Sequence, residues 1–232
     1  MREPDAVPPL SGYTAGLTAE WCAEELSGLL TRQGAAVVAP PTVRLLDAAV
    51  ARQVDVLTFT GAPSAADVLR IAERSGRLDS LVDALHRRTL VAACVDDDSA
   101  GPLAKLGVPV VRSTKGGVAA LVGELAFVLP ARAVRLRVGP STVELRGQAA
   151  LVDGEFRPVP RGPMAVLRAL AAQPGRVVSR PALSAVLPAA GSEHAVEAAI
   201  ARLRAALGEP RLVQTVVKRG YRLATDPVAA LR

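Results

Sequence analysis

Four cations carry the first chemical signal. Arg202 and Arg204 lie in "SEHAVEAAIARLRAALG", and Lys218 and Arg219 follow in "VVKRGYRLA". Val196, Ala199, Ile200, Leu203 and Leu207 recur with the helical period, so they predict a helix with one buried stripe, opening as a capped helix at Ser192. That stripe leaves Arg202 and Arg204 on other faces. The later stretch reads as a β-hairpin with Lys218, Arg219 and Gly220 at its tip. Cations on a helix and on a neighbouring hairpin tip suit a polyanion.

The charge distribution repeats the point. Residues 1–130 hold 12 Lys+Arg against 15 Asp+Glu, a net of −3, and residues 131–232 hold 16 against 7, a net of +9, which together give the chain's +6. Two modules are expected, 1–130 and 131–232, the second facing a polyanion. Half of the 232 residues are hydrophobic, enough for two cores. The two cysteines, Cys22 and Cys94, have no metal-type spacing, and a reduced cytoplasmic protein is the expectation. "MREPDAVPPL" lacks a basic-then-apolar leader pattern and no long apolar run occurs, so neither a signal peptide nor a membrane partner is expected.

The elements that position the cations are legible in the back half. "AVRLRV", "STVELRG", "AALVDG" and "EFRPVP" alternate and are separated by turn residues, which predicts a small antiparallel sheet. "RGPMAVLRALAAQPG" predicts a helix burying Met164, Leu167 and Leu170, with Gly175 as its stop. "SRPALSAVL" predicts a second, capped by Ser179 with Pro181 in its first turn.

Four strands, three helices and a basic hairpin, with "GRVVSRPAL", "AVEAAIARLRAALG" and "LVQTVVKRGYRL" in order, resemble the winged-helix output domain of OmpR/PhoB-type response regulators over about residues 131–225. The resemblance implies double-stranded DNA as partner. The third helix would enter the major groove and the wing would reach the backbone or minor groove. It carries DNA contacts onto Arg202 and Arg204. His194 and Ala195 fall where the family often has Arg and Thr, and Ala199 where it often has a polar contact. Val217 takes the place of a wing arginine, with Lys218 and Arg219 following at once. Site preference is therefore expected to differ from that of familiar members. Tyr221 is expected to anchor the wing in the core.

The front half alternates strictly: "GYTAGLT", "AAVVAP", "VDVLTFTG", "TLVAACV" and "VPVVRST" read as strands, with helical segments between them. In one of these, Trp21, Leu26, Leu29 and Leu30 share a face and Gly34 is the stop. "SAADVLRIAERSGRLDSLVDALH" reads as one long helix or two short ones, and "AGPLAKLG" as a helix. This pattern predicts a parallel, three-layer α/β lobe with sites at the carboxyl ends of its strands. "TFTGAPS" places Thr60, Gly61 and Ser64 at one such end, where helix amides could hold an anion. "CVDDDSAG" places Asp96, Asp97, Asp98 and Ser99 at another. Ser64 and one of the aspartates could instead serve only as helix caps, and three consecutive acids do not converge on one cation. His86 is expected to be a satisfied surface residue at a helix end. No dinucleotide or P-loop motif, metal cluster or nucleophile–histidine pair is present in the sequence, and no cofactor is expected.

"GYTAGLTAEWCAEELSGLLTRQGAAVVAP", "VDVLTFTGAPSAADVL" and "AACVDDDSAGPLAKLGVP" resemble uroporphyrinogen-III synthase over roughly residues 10–130. The family has two α/β lobes with the substrate between them. This sequence resembles a single lobe, the inserted one missing and the join near Pro40–Pro41. Gly61 stands where the family usually carries Ser, Asp96 and Ser99 replace a Gly-x-x-Thr turn, and Glu20 and Trp21 replace residues that tend to be basic. The expectation is thus an α/β, parallel, three-layer synthase-like lobe followed by an α+β winged helix-turn-helix domain. It would act as a DNA-binding transcriptional regulator, with a tetrapyrrole or other anionic effector and a homodimer among its possible partners. The alternative is a uroporphyrinogen-III synthase fused to a DNA-binding domain. No phosphoacceptor aspartate with its paired acids and lysine is evident in the front half.

Overall fold

The computed structural model describes residues 7–18, 22–113, 115–187 and 193–224. Glu20, Trp21 and Ser192 lie outside the described residues. The chain divides into two compact units, Met1–Arg132 and Ala133–Arg232.

In the first unit the strands are β1 (Thr14–Leu17), β2 (Ala36–Val38), β3 (Val56–Phe59), β4 (Val91–Cys94) and β5 (Val110–Arg112). The helices are α1 (Ala23–Arg32), α2 (Thr42–Val50), α3 (Ala62–Arg74), α4 (Leu78–His86), α5 (Asp97–Ala104) and α6 (Val118–Ala131). All strand pairs are parallel, in the order β2-β1-β3-β4-β5. This is the flavodoxin-like, doubly wound order, and its topological switch point lies between β1 and β3. The two-residue strand period divides the core in two. Ala15, Leu17, Val56, Val91, Ala93 and Val111 face α1 and α6 on one side, and Leu57, Phe59, Ala92 and Cys94 face α2, α3, α4 and α5 on the other. The outer layers close on the sheet through Leu26 and Leu30 of α1, and through Leu121 and Leu125 of α6.

The long helical stretch after β3 is two helices, because Gly76 at φ +68° follows the C-cap Ser75, ends α3 and lets the chain turn into α4. The helix read as "AGPLAKLG" starts three residues earlier, at Asp97. Its N-cap is Asp96, whose carboxylate accepts the Ser99 amide at 2.8 Å, while the Asp96 amide donates back to the Ser99 hydroxyl at 3.2 Å.

The second unit begins with an antiparallel meander of β6 (Val134–Val138), β7 (Ser141–Arg146), β8 (Ala149–Val152) and β9 (Glu155–Pro158), in that order. Helices α7 (Arg161–Ala171), α8 (Arg180–Ala185) and α9 (Glu193–Leu207) follow. A short 3-10 turn, Pro210–Leu212, then leads into the hairpin of β10 (Val213–Val216) and β11 (Gly220–Leu223). One core joins Leu136, Val143 and Val152 of the sheet to Met164, Leu167 and Leu170 of α7, Leu183 of α8 and the expected stripe of α9. Ser179 caps α8, its hydroxyl accepting the Ala182 amide.

Candidate nucleic-acid interface and front-lobe strand ends

The hairpin is built against the helices at its base and free at its tip. Tyr221 is 4% exposed, as expected of an anchor. Its backbone exchanges two hydrogen bonds with Val178, at 2.8 and 3.0 Å, which adds a short extended bridge to the wing's edge. The Arg180 guanidinium sits 5.2 Å from the centre of the Tyr221 ring. Gly220 is part of this anchor and not of the tip. A side chain there would place Cβ 2.1 Å from the Val178 carbonyl oxygen, and its φ of +139° disfavours any L residue. The tip is therefore Val217, Lys218 and Arg219, all exposed, with Lys218 at φ +58° and the Arg219 amide closing the turn on the Val216 carbonyl.

The two arginines of α9 are placed differently. Arg202 is exposed. Arg204 is half-buried and turns towards β10, where Nε and Nη2 donate to the Val213 carbonyl at 3.0 and 2.7 Å and Nη2 donates to the Thr215 hydroxyl at 2.9 Å. Arg204 thus ties the helix to the wing. His194 is exposed near the start of α9, and Ala195 beside it is half-buried. Ala199 is buried in the stripe, so its side chain faces the core. Exposed Arg202, Lys218 and Arg219 give one unit cations on both a helix and a hairpin tip, the arrangement that lets a helix enter a major groove while a wing meets the neighbouring backbone.

In the first unit the carboxyl ends of β1 and β3 bring hydroxyls together at the switch point. The Thr18 hydroxyl donates to the Thr58 carbonyl at 2.8 Å and lies 2.9 Å from the Ser64 hydroxyl. Ser64 therefore spends its side chain across the switch point and not on capping α3. Thr60 is buried, and Gly61 is the N-cap of α3 with an extended backbone. Ser99, at the end of neighbouring β4, is fully buried, and its hydroxyl is held in the α5 capping box. It has no surface to offer a ligand.

The acidic run is similarly occupied: Asp96 caps, Asp97 pairs with Arg112 of β5, and the Ser99 hydrogen bonds, side chain first and backbone second, hold the Asp96 carboxyl below its usual range. Burial pushes the Cys94 thiol up to about 12, so it is a core residue with no thiolate chemistry near neutrality. Among the described residues no group of His, Cys, Asp and Glu could hold a metal. His86, exposed at the end of α4, meets the Gly107 carbonyl through Nε2. No carboxylate stands at the carboxyl end of β3, where the chain reads Thr58, Phe59, Thr60 and Gly61. Asp55 lies at the strand's other end and accepts the Thr14 amide.

Residues 158–223 match the family described as "Transcriptional regulatory protein, C terminal". That segment runs from the end of β9 through the three helices and both wing strands. Among solved structures, the DNA-binding domain of Klebsiella pneumoniae RstA, in complex with the RstA box, is 27% identical, with 39% of this chain and 96% of that one covered and a TM-score of 0.33. The DNA-binding domain of E. coli CpxR is 28% identical, covering 39% of this chain and 96% of that one, at a TM-score of 0.34. The Thermotoga maritima response regulator DrrB, an OmpR/PhoB homologue, is 17% identical over 92% of this chain and 99% of its own, at a TM-score of 0.36. No curated protein matches the chain. These matches lend no support to the synthase resemblance of the first unit. Over residues 158–223 the second unit thus matches a transcriptional-regulator C-terminal domain, and its three helices and terminal hairpin have the winged-helix arrangement.

Proposed function

We propose that the chain is a sequence-specific transcriptional regulator in which residues 131–232 read DNA and residues 1–130 form an input domain. The observation that carries this reading is the placement of exposed Arg202, Lys218 and Arg219 within the segment that matches the regulator family. Arg202, His194 and the neighbouring Ala195 at the exposed side of α9 meet the major groove. Lys218 and Arg219 meet phosphate, and Arg204 holds the wing at the angle that lets both engage.

The input domain is a single, synthase-like lobe that takes a tetrapyrrole or another anionic effector at the switch point. The sequence resemblance supports this, as do Thr60, Gly61 and Ser64 at the N-terminal end of α3, where helix amides favour an anion. Ser99 supports the site indirectly, through the α5 cap. The regulator acts as a homodimer, and the outer side of α6 supports that: Phe127 is 75% exposed on a helix that is apolar on nearly every face. An aspartyl-phosphate switch is not part of the proposal, since β3 ends without an acceptor. The exclusively enzymatic reading is not carried further, because a single lobe leaves a flexible tetrapyrrole unenclosed.

Full-length protein is titrated against random duplex DNA and then against a site selected from that pool, with sedimentation of the free protein and thermal shifts in uroporphyrin and in inorganic phosphate. Tighter binding to the selected site, a dimer, and a shift with either anion are expected. Equal binding to all duplexes removes the sequence-specific reading. A monomer with no shift reduces the first unit to a passive scaffold.

A further inference from the structure

The exposed side of α9 is poor in polar groups. Opposite the buried stripe lie His194, Ala198, Ala201, Arg202 and Ala205, all exposed, which share one helical face at spacings of three and four residues. Of its two charged neighbours, Arg204 is turned from that face and Glu197 stays exposed at its margin. Arg204 is bound to β10 through the Val213 carbonyl and Thr215, and the Glu197 carboxylate lies 3.9 Å from Arg180 of α8. Among the described residues, the helix presents there a row of methyl groups with one unattached cation, Arg202, and one imidazole near its start.

We infer that this face selects thymine. Ala198 and Ala201 meet thymine 5-methyl groups in the major groove, and Arg202 supplies the charged contact to a guanine edge or a phosphate beside them. The inference rests on the DNA-binding reading and specifies what that helix reads. In the major groove thymine is distinguished by its C5 methyl, for which an alanine methyl is a matching surface, whereas adenine, guanine and cytosine offer donors and acceptors that alanine cannot satisfy. A polar base edge buried against alanine would lose its hydration with nothing in return. Alanines also let the helix backbone lie close to the base edges, since no long side chain holds it away. The N-terminal residues of such a helix lie nearest the bases, which places Ala198 first, Ala201 one turn behind it, and Ala205 farthest away.

The test keeps the protein unchanged and alters the DNA. The best duplex is selected from a random pool with the full chain. It is then resynthesised with deoxyuridine replacing thymidine at each position in turn, and affinities are measured by fluorescence anisotropy. At two or more thymines within each half-site, loss of the methyl should weaken binding about fourfold per position, as expected for one buried methyl-sized group. Deoxyuridine in the flanks should change nothing. A chain carrying A198S and A201S, its fold checked by circular dichroism, should lose the difference between thymine and uracil. A selected site that binds equally well in its deoxyuridine form, or that has no thymine in its contacted steps, overturns the inference while leaving DNA binding intact. Failure to bind any duplex overturns both.

Discussion

The winged-helix unit and the front lobe handle their polar side chains in opposite ways. At the strand ends of the front lobe nearly every such group is engaged locally: Thr18 with Thr58 and Ser64, Asp96 with Ser99, Asp97 with Arg112. In the winged-helix unit the cations divide. Arg180 and Arg204 are drawn inward to Tyr221 and β10, while Arg202, Lys218 and Arg219 stay exposed. The inward arginines fix the wing against the helix, and the outward ones are left to meet a partner. The difference shows which unit is already shaped for a polyanion. It also shows why the front lobe needs a ligand measurement: its hydroxyls satisfy one another in the free protein, and a ligand would have to exchange those bonds for its own.

The sharpest break in that comparison is at Gly220. Gly220→Ala forces a methyl against the Val178 carbonyl at a backbone angle unsuited to alanine, and should cost roughly 3 kcal/mol of stability, read by chemical denaturation of the full chain. Next is Arg204→Ala, which leaves the Val213 carbonyl and Thr215 without their partner and should cost about 1–2 kcal/mol, with DNA affinity falling for specific and scrambled duplexes alike. A variant that loses affinity without losing stability would make Arg204 a DNA contact and not a strut.

In the front lobe, Asp96→Ala should cost about 1 kcal/mol through the lost α5 cap. Because the folded carboxyl lies below its ordinary value of 3.8, its contribution is full above that pH and is lost as the pH falls through the lower folded value. The wild type's advantage over the variant should therefore hold at neutrality and shrink in acid below about pH 4. An advantage that grows on acidification would mean the carboxylate does not cap. The smallest effect is expected at Gly61→Ala. Gly61 is extended at φ −174° and the nearest atom to an added Cβ is 3.7 Å away, so stability should change by less than about 0.5 kcal/mol. Any loss of anion binding in this variant reports on the switch point itself.

Much of this was legible in the sequence, and for identifiable reasons. The alternation of the front half and the stripe from Val196 to Leu207 follow from periods of two and 3.6 residues, which the folded cores obey. One of the three aspartates was expected as a possible helix cap, and Asp96 is that cap; α5 starts three residues before "AGPLAKLG" because Asp97 and Asp98 form its first turn. Local pattern places Gly220 at the tip, because its constraint is a carbonyl 42 residues earlier, at Val178. Arg204 looked equivalent to Arg202 for a similar reason. A helical wheel fixes the direction in which a side chain leaves the helix, but not that a β10 carbonyl stands within reach. Ser64 looked like a cap, and its partner Thr18 lies on another strand end.

The measurement that bears most directly on the central claim is a salt-dependent titration of the wild type, Arg202→Ala and Arg219→Ala against the selected duplex and a scrambled one. Arg202→Ala should cost about 1–3 kcal/mol on the selected site and flatten its advantage over the scrambled one. Arg219→Ala should weaken both duplexes equally and reduce the salt slope by about one unit. Equal, small effects of both substitutions at every salt concentration would mean that these arginines are solvated surface, and would contradict the placement of α9 in the groove and of the wing on the backbone.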